Sequence, residues 1–333
     1  MARANGKPRP ISLALQGGGA HGAYTWGVLD RLSGEESLAI EAISATSAGA
    51  INAAAYAAGL AKGGPEGARA ELEALWRRVS DASAAMGAFG AAGFAVASAL
   101  QSIASPYDLN PFNYNPLRRI VEEQVDFAAV RASGLKLFLS ATNVETGKVR
   151  VFARDEITAD AVLASACLPQ AFQAVEINGT PYWDGGFMGN PSLFPLIYSG
   201  APADVLLVIL NPLTRPGTPK RAAEIQERLN EISFNASLIG ELRAIAFVQR
   251  LIDDGMLKEP MMKKYRRLNI HAIKGGQDLI GYGLSSKYDT RWRLLTELRD
   301  MGREAAERWL ADCAKDVGTK KSSFDIRKEF LET

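Results

Sequence analysis

Apolar and polar positions along this chain fall into two periods, short strand-like runs and longer helical stretches, which succeed one another through most of its length. Residues 11–15 (Ile-Ser-Leu-Ala-Leu) predict a buried strand, and a glycine-rich turn over 16–22 leads into a helix over 23–32. A short apolar stretch at Ala42 and Ile43 runs into small residues around Ser47, and an alanine-rich helix follows over 49–59. Charged amphipathic helices are predicted over 66–79 and 117–125, the second with Arg118, Arg119, Glu122 and Glu123 outward. Residues 108–115, with prolines around them, read as a loop. Hairpins are predicted over 135–140 with 148–152, and over 175–183 through the turn Asn178-Gly179. A helix is expected over 158–167, and an unbroken apolar run makes 205–210 a central strand. Strands alternating with helices in this way specify an α/β protein.

Beyond Pro219 the pattern changes. Residues 221–254 form a long helical stretch with apolar positions at Ile225, Leu229, Ile232, Leu238, Leu242, Ile245, Phe247 and Val248. Packing on the core is its default reading, and a partner interface is the alternative. A strand at 268–273 follows, then helices to about residue 314 and a charged tail at 320–333 with no strong fold signal. The predicted organisation is therefore a flexible 1–10, a main α/β domain over 11–215, a helical extension with one strand over 216–319 packed on that domain, and the tail. Residues 82–107 carry no charge and place Gly87, Gly90 and Gly93 at every third position. That segment reads either as a buried packing helix or as a mobile cap over a binding site.

With 333 residues there is ample chain for a large core, and 38 basic against 37 acidic side chains leave a net charge of +1. Nothing global favours nucleic acid. One basic run, Lys263-Lys264-Tyr265-Arg266-Arg267, reads as a solvated face or as a contact for anionic lipid head groups. Cys167 and Cys313 have neither disulfide-framework nor metal-ligand spacing, and Cys167 in a small-residue run suggests buried packing. No His, Cys and Asp cluster has ligand spacing, so no metal or other cofactor is expected. The first apolar run is too short for a secretory signal, and no segment has the length to span a bilayer. The expectation is a cytoplasmic protein, with peripheral contact to membranes or lipid particles left open by the basic run; no oligomeric state can be read.

Three glycine-flanked elements carry the candidate chemistry. Ser47, between small residues and ahead of a helix, has the setting of a nucleophile elbow, a tight turn that lifts the hydroxyl clear. The helix N-terminus that follows favours developing negative charge at the same point. Gly17, Gly18 and Gly19, at a strand-to-helix junction, leave bare N–H groups converging on an anion or oxyanion. Gly17, Gly19 and Gly22 also satisfy G-x-G-x-x-G with Glu41 downstream, but a nucleotide site needs that acid at the end of a second strand. Asp184, before Gly185 and Gly186, sits where a sharp turn can aim a carboxylate; alone it would be an ordinary Asp-Gly turn.

This trio resembles the patatin-like phospholipases: a G-G-G-x-x-G loop, an elbow thirty residues on, and a D-G-[GA] motif, in the family's order over roughly the first two hundred residues. The segments 141–147 and 164–169 also look like the family's connecting stretches. The resemblance implies a three-layer α/β/α fold with a central, mostly parallel sheet. It implies a Ser–Asp dyad, with Ser47 as nucleophile, Asp184 as base and Gly17, Gly18 and Gly19 as the oxyanion hole, supported by His21, Gly22, Ala45, Gly49, Gly185 and Gly186. Ala45 departs from the family, which has glycine there. His21 stands where the family more often carries Arg or Lys. Only His21 and His271 could complete a triad, and both read as structural. Burial beside Trp183 and Phe187 would raise the proton affinity of Asp184. The substrate implied is a lipid ester; a storage polyester or a non-catalytic lipid-binding scaffold are the alternatives.

Overall fold

Five strands lie parallel because helical connections carry the chain back across the sheet between them. They are β1 (Arg9–Leu15), β2 (Leu38–Thr46), β3 (Lys136–Asn143), β7 (Asp204–Val208) and β8 (Asn269–Ile273), in the spatial order β3-β2-β1-β7-β8. The computed structural model describes residues 7–100, 104–258, 261 and 265–331, without the side chains of 85–100. Three further strands, β4 (Val149–Ala153), β5 (Val175–Ile177) and β6 (Thr180–Asp184), extend the sheet in antiparallel fashion around β3. Both predicted hairpins are present, and Asn178 and Gly179 take the positive φ that a two-residue turn requires.

Side chains of the central strands alternate between two cores, as strand geometry demands. Leu13, Leu15, Ile43, Leu206 and Val208 face one core, covered by the helices Gly22–Ser33, Ala48–Leu100 and Trp292–Asp312. Ala14, Ala42, Val205, Leu207 and Ile209 face the other, covered by the helix Ala222–Asp253. The result is the mostly parallel, three-layer α/β/α arrangement expected from the sequence. No helix among the described residues is long and apolar enough to cross a membrane.

Several elements differ from their expected form. Strand β2 starts at Leu38, so Glu41 lies inside it rather than at its end, where a nucleotide site would need it. The helical run Ala48–Leu100 doubles back at Gly63, Gly64 and Pro65: Trp76 Nε1 donates to Asn52 Oδ1 at 2.9 Å across 24 residues, which a straight helix would hold about 36 Å apart. Both predicted helices of this region, 49–59 and 66–79, are thus arms of one hairpin. The 82–107 segment is helical to Leu100, but its side chains from 85 and its residues 101–103 lie outside the described part. Residues 1–6 do too, and β1 already begins at Arg9.

The long helix splits its apolar positions: Leu238, Leu242 and Ile245 are buried, whereas Ile225, Leu229, Ile232 and Phe247 are exposed. The charged tail is docked rather than loose. Phe324 and Ile326 are buried, Phe324 N donates to Ile270 O, and Ser322 Oγ receives Ile270 N, so the tail covers the outer edge of β8. Of the basic run, Lys263 and Lys264 lie outside the described residues. Arg266 donates to Leu196 O, and Arg267 pairs with Asp253. Cys167 is buried with its thiol pushed up to about 12, chiefly by burial, as expected for a packing cysteine.

Candidate active site

Strand register brings Ser47 and Asp184 together. Along one edge of β3, β2 runs parallel and ends with Thr46 opposite Ser140. Strand β6 arrives from the other direction on that same edge and ends with Asp184 opposite Ala141. Strand β4 occupies the other edge, facing both Ser140 and Ala141, so β2 and β6 must meet head-on. The chain leaves each strand at the meeting point, one turn carrying Ser47 and the other Gly185. Gly185 has no room for a side chain, because a Cβ there would overlap the Ser140 carbonyl.

Ser47 sits at φ +55, a left-handed conformation that costs a non-glycine residue about 1–2 kcal/mol. It is held there from both sides. Its N–H donates to Ser165 Oγ at 2.9 Å, Ser165 in turn donates to Ser140 O at 2.7 Å, and its carbonyl accepts from Ile51 N as the first helical bond. Ala45 is fully buried in regular strand, paired with Leu15 and Leu139, so its methyl is core packing and glycine's freedom is not needed there. Gly49 rests on the carbonyls of Leu15 and Gln16, and Gly22 against the Ala48 methyl, which clamps the elbow helix to the glycine loop.

Asp184 is completely buried. Its Oδ1 accepts from Gly186 N at 2.7 Å, and its main chain is fixed by Cys167 O and Thr142 Oγ1. Burial pushes its carboxyl up to about 7, opposed by hydrogen bonding from the Ser47 hydroxyl and by the Gly186 N–H. Oδ2 nevertheless lacks a partner of full hydrogen-bond geometry among the described residues. The hydroxyl is therefore close enough to act on the carboxylate without being locked to it. Trp183, one residue earlier on β6, points to the opposite face and cannot shield Asp184. The Phe234 ring, which a Cβ on Gly186 would meet at 2.4–2.6 Å, borders this site and packs against Phe187 with ring centroids 5.2 Å apart.

The glycine loop lies directly against the serine: a Cβ on Gly17 would stand 2.6 Å from Ser47 Cβ. Gly17 N–H is already donated to Asn190 Oδ1 at 2.7 Å, so Gly17 provides space and leaves the donor role to its neighbours. The N–H groups of Gly18 and Gly19 have no hydrogen-bond partner among the described residues. Gly19 has φ +59 and abuts the Lys287 carbonyl.

Neither histidine is placed as the base. His21 Nε2 is 2.7 Å from Ser286 Oγ, and burial, with Lys287 nearby, lowers its pKa to about 3, so it stays neutral. His271, on β8, contacts Asp204 at 3.1 Å and Ser323 at 2.9 Å, at the N-terminal side of the sheet, away from the elbow.

A model for the patatin-like phospholipase domain matches residues 13–204, more than half of the chain and all three glycine-flanked elements. The chain belongs to the patatin-like phospholipase family. Membership makes it an ester-bond hydrolase with a lipid as the broad substrate class. Among solved structures, it is similar to VipD from Legionella pneumophila, at 12% identity and a TM-score of 0.41, over 91% of this chain and 67% of VipD. It is also similar to full-length ExoU, solved with SpcU from Pseudomonas aeruginosa, at 15% identity and a TM-score of 0.32. That match covers 90% of this chain and 53% of ExoU, so the chain spans about half the ExoU length. No curated protein sequence matches it.

Within this patatin-like site, four supporting residues carried no role in the sequence reading: Gln16, Ser165, Asn190 and Asn235. Gln16 Oε1 accepts from Leu210 N and Asn211 N, and its Nε2 donates to Asn235 Oδ1 at 2.8 Å. Asn190 Nδ2 donates to Phe234 O. A polar residue directly after a buried strand, as Gln16 is, is the one signal in the sequence that could have pointed to the group.

Proposed function

We propose that this chain hydrolyses carboxylic esters of phospholipids or related lipids through an acyl-enzyme on Ser47. The observation that carries the reading is a fully buried carboxyl, Asp184, beside a serine at a strained elbow, with a proton affinity raised to about 7. A base tuned near the working pH takes a proton most effectively. Ser47 Oγ bonds to the ester carbon as its proton passes to Asp184. The carbonyl oxygen, now negative, is met by the free N–H groups of Gly18 and Gly19 and by the positive end of the elbow helix. Collapse expels the alcohol, which takes the proton from Asp184. Water then attacks the acyl carbon, giving a proton to Asp184 that returns to Ser47 Oγ as the fatty acid leaves. Exposed Phe112 and Tyr114, and the stripe Ile225, Leu229 and Ile232, favour docking on aggregated lipid.

A fluorophosphonate probe tests the nucleophile. Wild type is expected to be labelled and Ser47→Ala not, with hydrolysis abolished and Tm nearly unchanged. Activity above a few per cent in Ser47→Ala would place the nucleophile elsewhere, and an unlabelled, inactive wild type would favour a lipid-binding scaffold. A hydrolysis screen over phospholipids, acylglycerols and nitrophenyl esters defines the substrate, and vesicle sedimentation tests docking.

A further inference from the structure

Outside the dyad, one ionisable side chain far along the chain from the glycine loop, Lys287, turns in toward it. It lies in the short 3-10 turn Leu284–Tyr288, which packs on the loop through Gly19 and through the His21–Ser286 contact. Lys287 as a residue is partly exposed, but its ammonium turns inward, donating to Asn211 Oδ1 at 2.7 Å and Asn230 Oδ1 at 3.0 Å. An ammonium can only donate, so Asn211 must present its oxygen to Lys287 and its NH2 to the other side. On that side Asn211 Nδ2 reaches Gly17 O at 3.4 Å. The Gly17 carbonyl and the Gly18 N–H belong to one peptide unit. A donor on the carbonyl polarises that unit and makes its N–H a stronger donor, an effect that grows along a hydrogen-bonded chain.

We infer that Lys287 is a positioning residue for the oxyanion hole, acting through Asn211 on the Gly17–Gly18 peptide and fixing Gly19 with its own carbonyl. The inference rests on the dyad reading above and goes beyond it by assigning a role to a residue outside the family-matched segment. Burial lowers the Lys287 pKa to about 8, offset by Glu231 and Glu227 and reinforced by Arg215. Those groups face it from the helix Ala222–Asp253 and the segment after β7, with Arg228 paired to Glu231 and neutral His21 on the loop side. The ammonium is thus the form present below about pH 8, and its support of the Gly18 N–H is lost as pH rises through that value.

The test is a kcat/KM pH profile, with kcat and KM separated at pH 7.5, on wild type, Lys287→Met and Lys287→Arg. Wild type is expected to show an alkaline limb near 8. Lys287→Met should lower kcat about tenfold, equivalent to about 1.4 kcal/mol of barrier, with KM little changed and that limb gone. Lys287→Arg should recover most of kcat and hold activity to higher pH, because guanidinium stays charged. A Met variant that loses kcat but keeps the limb near 8 would reduce Lys287 to a structural role and overturn the inference, as would an unchanged kcat. If the Met variant does not fold, the Arg variant decides alone: a limb still near 8 overturns the proposal. Fluorophosphonate labelling of wild type and Ser47→Ala, run first, separates failure of this inference from failure of the dyad.

Discussion

The residues proposed to do chemistry and the residues that hold them come from different parts of the chain. Ser47, Asp184 and the glycine loop lie within 13–204, where the family model matches. Much of their support comes from later residues: Asn211, Phe234, Asn235 and Lys287. The first region has motifs with steric reasons behind them. The second offers scattered side chains and carbonyls on the segment after β7, the long helix and a 3-10 turn, and it acts by partnering polar groups that the first region leaves open. A strained elbow and an ionisable buried acid destabilise the native state, and the later residues offset part of that cost. The difference teaches that changes to the catalytic groups themselves should remove activity and spare stability, whereas changes to the later residues that hold them should lower both.

The sharpest contrast is Asp184→Asn. Turnover should fall at least ~100-fold through loss of the base, and the acid limb of the pH profile near 7 should vanish. Stability should move the other way. A carboxyl raised to about 7 in the fold binds its proton more tightly there than when unfolded, so wild-type stability falls as pH rises from about 4 to 7. Asparagine escapes that loss, so the Tm of Asp184→Asn relative to wild type should climb between pH 4 and 8. A difference in Tm that is flat with pH would show that Asp184 is not held proton-hungry.

In the second region, Asn235→Ala should cost about 1–3 kcal/mol of stability, because it strips buried partners from Gln16 Nε2 and Pro212 O. Turnover should fall by several-fold in the same variant as the loop loosens. Urea melts and kcat together check it, and a variant that lost activity with an unchanged melt would blur the division between regions. The histidines come next. His271→Ala should lower Tm by leaving buried Asp204 with fewer partners, yet keep most activity, and His21→Ala should cost activity modestly through the Ser286 contact. Either proving as damaging as Asp184→Asn with the fold intact would replace the dyad by a triad. The smallest effect belongs to Ala45→Gly. Since Ala45 is ordinary buried strand, the change should cost about 0.5–1 kcal/mol and leave kcat nearly unchanged.

How much of this was legible in the sequence follows the same division. The parallel core, both hairpins and the trio of Ser47, the glycine loop and Asp184 could be read because strand runs, Asn-Gly turns and crowding glycines leave local signatures. The part played by Lys287 could not, since it depends on a contact 268 positions away from Gly19. Trp183 was a reasonable candidate to shield Asp184 by proximity along the chain, but strand alternation turns it away and Phe234 takes that place. The docked tail was hidden because only a few apolar residues, led by Phe324 and Ile326, anchor it among charges. Gly17 read as an anion donor from its bare N–H, and only the structure shows Asn190 already using it.

The head-on meeting of β2 and β6 gives the fold a measuring edge. Both strands take their position from adjacent residues of β3, Ser140 and Ala141, so the separation of serine and carboxylate is counted in single peptide units. Between them the chain travels through 136 intervening residues, including a helical hairpin and two β-hairpins, without any of that length entering the distance. Insertions in the loops of those excursions, away from Ser165 and Cys167, are therefore free to remodel what the enzyme accepts. One extra residue inside β6 is not, for it would turn Asp184 to the far face of the sheet and bring its neighbour to the site. Length can be added to the loops of those excursions far more readily than along this one strand edge.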